Sequence, residues 1–190
     1  GGRVDVAEEI VELLLAQKVP TVTFVNPNAI SAGAIIAMAT RDIYMAPGSR
    51  IGDAMPIMVS PFGGVQELPE ALMEKQVSYV TALIRSAAQQ NGHDPQLAEA
   101  MVRREMEYTI GDDVISPSGR LLTLTDQEAS RLVGPDDDRR PLLSKGTVDS
   151  LDALLERLGR ADSRRVELTV TAAERIARFV EAISVLLLAG

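Results

Sequence analysis

The chain has 190 residues, 46% of them apolar, which is long and apolar enough for one domain with a buried core. A net charge of -8 argues against nucleic acid or an anionic membrane surface as an electrostatic partner. The absence of cysteine and the presence of a single histidine, His93, exclude thiol nucleophiles, disulfides and a multi-histidine metal cage. We therefore expect neither a metal nor a cofactor.

The first part of the chain alternates helical and extended patterns. Apolar residues recur at helical spacing from Val4 to Gln17, which predicts an amphipathic helix directly after Gly1 and Gly2. Ala32 to Thr40 is predicted to form a buried helix of small residues. Continuous apolar runs predict short extended segments, most of them buried strands, at 21–25, 42–46 and 51–54. This alternation is typical of an α/β fold.

The later part is predicted to be richer in helices. Residues 55–68 lack a clean period, and their apolar side chains suit either a groove for an apolar peptide or a loop packed under its own domain. A long helix is predicted from Pro69 to Gln90, with an apolar stripe formed by Leu72, Tyr79, Val80, Leu83 and Ala87. Further helices are predicted at 95–106, 125–131 and 148–158, and strands at 108–115, 120–123 and 164–170. Thr125 and Glu128 form a predicted capping box.

Ser31 is the first candidate catalytic residue, because it lies where the predicted helix of small residues begins. Unpaired backbone N–H groups and the helix dipole favour negative charge there, so an attacking alkoxide or an oxyanion would be stabilised. Serine is also a common N-cap, and this stretch alone favours that ordinary role. His93 lies in a turn between two predicted helices and is expected to face solvent, which leaves Ser31 without a histidine base.

Lys75 is the second candidate, because lysine is scarce in this chain. Among 19 basic residues only Lys18, Lys75 and Lys145 are lysines. Arginine cannot lose its proton in a protein, whereas a desolvated lysine can act as a base. Lys75 lies one helical turn from Leu72 and from Tyr79, which predicts that it borders the apolar stripe. An isolated helical lysine is usually solvated, so both roles stay open.

Several segments, taken in order, resemble the ClpP-class, NfeD-type membrane-bound serine proteases, which are relatives of signal peptide peptidase A. The matching segments are Gly1-Gly2 before a helix, Ile30-Ser31-Ala32-Gly33 with its alanine-rich helix, residues 45–52, Lys75 eleven residues before Ser86, and residues 122–129. The resemblance runs over most of the chain, and the order and spacing of these segments are specific.

The resemblance implies a ClpP/crotonase-like α/β fold with repeated β-β-α units. It implies that Ser31 is the nucleophile and Lys75 the general base, with backbone N–H groups near Gly2 and Ala32 in the oxyanion hole. Backbone N–H groups at the Gly1-Gly2 pair could serve in this way, although the pair could equally be a flexible end. The expected activity is that of a Ser-Lys serine endopeptidase.

The resemblance also implies a protease domain at residues 1–165 that lacks the family's initial strand. Residues 166–190 would then form a strand and a helix leading toward a truncated transmembrane segment. The expected substrates are apolar segments of stomatin-like membrane proteins, for which the loop offers Met55, Ile57, Met58 and Phe62. A homo-oligomer and a membrane-associated, extracytoplasmic location are expected as well.

Two other functions compete with the protease. An acyl-CoA enzyme of the related crotonase fold would need a carboxylate base and a nucleotide-binding surface, and neither is recognisable in the sequence. A non-catalytic assembly module that binds a membrane partner would leave Ser31 as a simple helix cap.

Overall fold

The computed structural model describes residues 3–59, 65–66 and 69–166. Predictions that concern Gly1, Gly2, Phe62 and residues 167–190 lie outside the described residues. Within the described residues the helices are α1 Val4–Leu15, α2 Ala32–Met38, α3 Glu70–Asn91, α4 Pro95–Ala100, α5 Asp126–Ser130 and α6 Leu151–Arg157. The strands are β1 Val22–Val25, β2 Asn28–Ile30, β3 Asp42–Met45, β4 Arg50–Gly52, β5 Met58–Val59, β6 Val65–Gln66, β7 Tyr108–Ile110, β8 Asp113–Ser116, β9 Thr123–Thr125, β10 Leu132–Val133 and β11 Arg140–Pro141.

Two parallel strand pairs form the centre of the fold. β1 pairs with β3, and β2 pairs with β4, whose other edge carries the antiparallel strand β9. The order β1-β2-α2 is followed by β3-β4 and, after the β5–β6 hairpin, by α3. The helix α2 therefore connects each parallel pair, as parallel pairing requires. This is the α/β architecture that the sequence pattern predicts, with the repeated β-β-α units that the family resemblance implies.

The core lies between these strands and the helices α1, α2 and α3. The helix α2 buries most of its length because its small residues allow close approach to both neighbouring helices. The helix α1 contributes Ala7 and Val11. The core side of α3 is formed by Val77, Val80, Thr81, Ile84, Ala87 and Ala88.

The buried side of α3 differs from the stripe predicted from the sequence. Val80 and Ala87 are buried as expected, but Leu72 and Tyr79 are 44% and 46% exposed. The error arose because α3 has apolar residues on two sides, and the helical period cannot tell which side faces the core.

Three element boundaries in the second half also differ from prediction. The helix expected at 95–106 ends at Ala100, because the carbonyls of Ala100 and Met101 accept the amides of Leu122 and Ala54. The strand expected at 108–115 is a hairpin, β7–β8, whose turn contains Gly111 with a positive φ of 59°. The strand expected at 120–123 is found at Thr123–Thr125, where it forms β9 directly before α5.

The predicted capping box is confirmed, and it belongs to a larger network of hydrogen bonds. Thr125 and Glu128 bond reciprocally at the start of α5. The buried Asp126 then accepts hydrogen bonds from the Gly48 amide at 3.0 Å and from the Thr147 hydroxyl at 3.2 Å. A buried carboxylate with these partners fixes the turn that leads into β4.

Candidate active site

Ser31 lies at the carboxyl ends of two neighbouring parallel strands. It directly follows β2, and the register pairs Ile30 with Gly52, the last residue of β4. In open α/β sheets ligands bind outside the carboxyl ends of the strands, where connecting segments diverge. Ser31 is half-buried there, directly before the first residue of α2.

The backbone of Ser31 is strained. Its φ of 61° and ψ of -125° match the first central position of a type II′ turn, which glycine normally occupies. Such a conformation costs a residue with a Cβ about 1–3 kcal/mol and persists only where neighbouring contacts impose it. The Ser31 hydroxyl makes no capping bond to α2, although the residue occupies the N-cap position. The ordinary capping role therefore does not account for this serine.

The end of β4 holds Ser31 in this conformation. The Ser31 N–H lies 3.2 Å from the Gly52 carbonyl oxygen and 3.0 Å from that of Asp53. Asp53 itself has a positive φ of 44°. Gly52 has a φ of 137°, and a Cβ added there would lie 2.3 Å from the carbonyl oxygen of Leu122 on the way into β9. A side chain at Gly52 would therefore push β4 away from β9 and disturb the carbonyl that holds Ser31.

The helix α2 provides one of the two predicted oxyanion donors. Ala32 is the first residue of α2, so its N–H has no partner inside the helix and lies at the positive end of the helix dipole. Gly2, the other predicted donor, lies outside the described residues.

Lys75 is more exposed than the sequence predicted. It lies on α3 between Met73, which packs against the core, and the buried Val77, so its own side chain faces solvent. Within the part of the chain that the structure describes, Lys75 forms no ion pair. Lys75 was predicted to border the apolar stripe instead of facing fully outward. The part of that stripe next to it, Leu72 and Tyr79, is exposed, and the buried side of α3 lies opposite Lys75.

The remaining lysines and the histidine have other environments. Lys145 pairs with Asp42, and Lys18 is exposed. His93 is partly buried, contrary to prediction, and its Nε2 donates to the carbonyl oxygen of Thr40 at 2.7 Å. Because Thr40 follows α2 and Ser31 precedes it, the two lie roughly 13 Å apart along the helix axis. A Ser31–His93 pair is thereby excluded in this arrangement.

The four residues predicted to bind substrate do not share one environment. Met55 is partly buried against the core. Ile57 is 58% exposed. The backbone of Met58 pairs with Gln66 in the short β5–β6 hairpin, within a segment predicted to be a loop. Phe62 lies outside the described residues.

Gly52, Asp53 and Asp126 are the structural contributors that sequence reasoning missed. Gly52 and Asp53 hold the Ser31 amide, and Asp126 fixes the turn before β4. Gly52 ends an apolar extended run, and a glycine at such a place signals close backbone approach. That signal was present in the sequence, but the partner across the sheet was not identifiable from it.

The sequence of this domain also matches a known protein family. Residues 1–168 match the family model described as NfeD1b, N-terminal domain. The chain belongs to this family. Its fold is the ClpP-like fold of the NfeD proteases, as expected from the sequence.

Two proteins are similar in sequence to this NfeD1b-family domain. Membrane protein NfeD1b of Bacillus subtilis (strain 168) is 32% identical over 180 residues, which cover 95% of this chain and 37% of the relative. Membrane-bound protease PH1510 of Pyrococcus horikoshii is 35% identical over 113 residues, which cover 57% of this chain and 25% of the relative. The chain thus spans between a quarter and two fifths of the length of these relatives.

Two solved structures are similar to this NfeD1b-family domain. A lysine-to-alanine variant of the 1510-N membrane-bound stomatin-specific protease, in complex with a substrate peptide, aligns with a TM-score of 0.63 and 24% identity, covering 95% of this chain and 78% of that one. A serine-to-alanine variant of 1510-N aligns with a TM-score of 0.60 and 27% identity, covering 90% and 74%. Both relatives carry membrane in their names, while none of the helices among the described residues is long and apolar enough to cross a bilayer.

Proposed function

We propose that this domain is a serine endopeptidase in which Ser31 attacks the peptide carbonyl and Lys75 removes the proton from its hydroxyl. The observation that carries the proposal is the strained backbone of Ser31 at the carboxyl ends of β2 and β4, with a hydroxyl that does not cap α2. Strain of this kind concentrates at catalytic positions, including the strand-to-helix turns that present nucleophilic serines.

The proposed reaction proceeds through an acyl-enzyme. Neutral Lys75 accepts the Ser31 proton as the oxygen attacks, and the tetrahedral oxyanion receives hydrogen bonds from the Ala32 amide and from an amide near Gly2. Collapse of the intermediate transfers the proton to the leaving amine, and water then hydrolyses the acyl-enzyme with the lysine again as base.

Because Lys75 is exposed in the single chain, the proposed mechanism requires that Lys75 be removed from water before it acts as a base. Lysine must be neutral to act as a base, and removal from water favours the neutral form. An apolar peptide that covers Lys75 would remove it from water, and the segment around Met55 and Ile57 would close beside it. The substrate itself would therefore help to activate the base.

The need for the substrate to cover Lys75 also indicates the class of substrate. The exposed Ile57 and the other apolar residues of 55–68 support an apolar peptide. The name of PH1510-N as a stomatin-specific protease supports stomatin-like membrane proteins as the source. We extend the proposal to a protease domain at residues 1–165 on the extracytoplasmic side, with residues 166–190 leading toward the membrane.

The experiment is a cleavage assay on a library of peptides from apolar segments of stomatin-like proteins. The wild-type chain should cut within apolar stretches, and Ser31→Ala should cut none. Ser78→Ala, an exposed serine on α3, is the matched control and should keep wild-type rates. A preference for charged residues flanking the cut would reject the proposed specificity, and cleavage by Ser31→Ala would reject the nucleophile.

The exposed position of Lys75 favours one alternative, a non-catalytic module that binds a membrane partner. Under this alternative the same peptides would bind with equal affinity to wild type and Ser31→Ala, and neither protein would cut them. Binding without cleavage in both proteins would therefore replace the protease proposal with the binding module.

A further inference from the structure

A second cleft lies at the opposite end of α2 from Ser31. Its volume is about 260 Å³, and it forms where the start of β3, the turn between α3 and α4, β7 and the β10–β11 hairpin meet. We call it the basic cleft. Ser31 and Thr40 lie roughly 13 Å apart along α2, so the basic cleft is separate from the proposed catalytic centre.

The two carboxylates that line the basic cleft already have partners. Asp42 forms an ion pair with Lys145. Asp94 accepts the Tyr108 hydroxyl at 2.8 Å and caps α4 through the Gln96 amide at 2.8 Å. Lys145 therefore neutralises Asp42, whereas the partners of Asp94 are neutral donors. The lining still carries three basic side chains, Arg41, Arg140 and Lys145, against these two acids.

Two arginines of the basic cleft, in contrast, lack acidic partners. Arg41 and Arg140 are both exposed, and neither forms an ion pair among the described residues. Arg140 lies close enough to Tyr108 for its charge to oppose the rise in the pKa of that phenol, which burial and Asp94 cause. In a chain with a net charge of -8, two unpaired guanidiniums at one cleft form a local site for an anion.

Part of the wall of the basic cleft is apolar, and the rest is polar. The apolar part is formed by Ile43, Ile110, Val133, Leu142 and Leu143. A ligand can therefore combine an anionic group for the arginines with a small apolar body for this part of the wall. Arginine binds carboxylates through two parallel hydrogen bonds, which gives orientation as well as affinity.

We propose that the basic cleft binds a carboxylate carried on a small apolar body. Two sources supply this chemistry, the free C-terminus of a peptide with apolar last residues and a short fatty acid. The volume of the basic cleft is slightly below the range of ordinary ligand sites, which begins at about 300 Å³, so it accommodates only the terminal part of either one. The proposal is independent of peptidase activity at Ser31.

The test is a calorimetric titration of the intact chain with N-acetyl-leucyl-leucine as the free acid and as its C-terminal amide. The free acid should bind saturably, and the amide should bind at least about tenfold more weakly. Arg41→Gln and Arg140→Gln should each weaken the free acid by about tenfold or more. Arg160→Gln, an exposed arginine outside the cleft, is the control and should leave the affinity unchanged.

Further ligands distinguish the two sources of the carboxylate, a peptide C-terminus and a fatty acid, and test whether the cleft recognises a carboxylate at all. Hexanoate that binds more tightly than the peptide acid would assign the cleft to fatty acids, and the reverse would assign it to peptide termini; both support the proposal. Equal affinity for acid and amide, inorganic phosphate that binds more tightly than either carboxylate, or Arg140→Gln with unchanged affinity would overturn it. Ser31→Ala should bind the free acid like the wild type, so loss of peptidase activity does not affect this test.

Discussion

At the scale of single residues, Ser31 shows how a tertiary contact defines a candidate site. Its position at a helix start is predictable from the sequence, because an extended segment ends and a run of small residues begins there. Its strained φ of 61° was not predictable, because the carbonyls of Gly52 and Asp53 that impose it come from a strand twenty residues later in the chain. The sequence allowed a simple cap, and the strained conformation favours a functional role.

Lys75 gives the residue-scale prediction about the base. Lys75→Arg should lower the peptidase rate by at least about 100-fold and as much as Lys75→Ala, because arginine keeps the charge but cannot accept a proton. Initial rates on an apolar peptide at saturating concentration measure this. Lys18→Arg and Lys145→Arg are the matched controls and should retain the wild-type rate. Near-native turnover by Lys75→Arg would show that the base is another group.

His93 gives a prediction on pH. Burial lowers the pKa of His93 below its ordinary value of 6.5, and Lys145 acts in the same direction, while the Thr40 carbonyl and Asp42 oppose it. The folded state therefore disfavours the protonated imidazole. The contribution of neutral His93 to the free energy of unfolding should be complete above about pH 6.5. The free energy of unfolding should fall as the pH drops below that value.

Urea unfolding of wild type and His93→Gln at about pH 5 and about pH 7.5 measures this dependence. The wild type should lose more of its unfolding free energy at the lower pH than His93→Gln does. An NMR titration of His93 in the folded protein with a midpoint at or above 6.5 would contradict the assigned environment.

At the scale of elements, the accuracy of the prediction from sequence depended on the length of each element and on the periodicity of its apolar residues. The helices α1, α2 and α3 were predicted within a few residues, because apolar residues recur over at least two turns. The strand β2 was missed because it directly follows Pro27, a turn residue, and β9 was placed two to three residues too early because it leads directly into α5. These two strands flank β4, so the elements that place Ser31 are the ones that the sequence predicts least well.

Gly52 gives the prediction at this scale. Gly52→Ala should lower the free energy of unfolding by about 3 kcal/mol, because the new Cβ would lie 2.3 Å from the Leu122 carbonyl oxygen, a backbone atom. It should also reduce peptidase activity beyond the loss of folded protein, because the Gly52 carbonyl holds the Ser31 amide. Urea unfolding and activity per folded molecule measure the two effects.

Gly119→Ala is the matched control. Gly119 also has a positive φ, of 94°, but a Cβ there would have no atom within 4 Å. The control should cost only about 1–2 kcal/mol from backbone strain and leave activity unchanged. Equal effects of the two substitutions on stability and on activity would show that the β4–β9 contact does not position Ser31.

At the scale of the whole molecule, exposed apolar side chains on α1 and α3 bear on assembly. Part of the apolar surface of α3 is used by the chain's own core, in which Val77, Val80 and Ile84 are buried. The exposed apolar residues of these two helices are Val6, Leu13, Leu72 and Tyr79. The surface that remains is therefore shared between two helices instead of lying on one.

We predict that this shared surface forms a symmetric dimer that buries about 800 Å² per partner. Light scattering over a concentration series should show a discrete dimer or larger closed species. Leu72→Glu should shift it toward monomer, whereas Val114→Glu, which changes an exposed apolar residue on the β7–β8 hairpin, should not. A monomer at all concentrations would reject the dimer.

The relation between Ser31 and Lys75 is the part of the candidate site that sequence alone could least predict. Both residues were selected by separate signals, a helix start and a scarce residue type. Their functional pairing depends on how α3 lies against α2 and on what covers the exposed lysine when substrate binds. No local pattern encodes either property.

The most direct test of the Ser31–Lys75 pair is the rate and position of covalent labelling by a fluorophosphonate, which reacts with activated serines. Peptide mapping by mass spectrometry should find a single adduct, on Ser31. Lys75→Arg should slow this labelling by at least about 100-fold, and Lys18→Arg should leave it unchanged. An adduct on another serine, or Ser31 labelling at the wild-type rate in Lys75→Arg, would contradict the proposed catalytic pair.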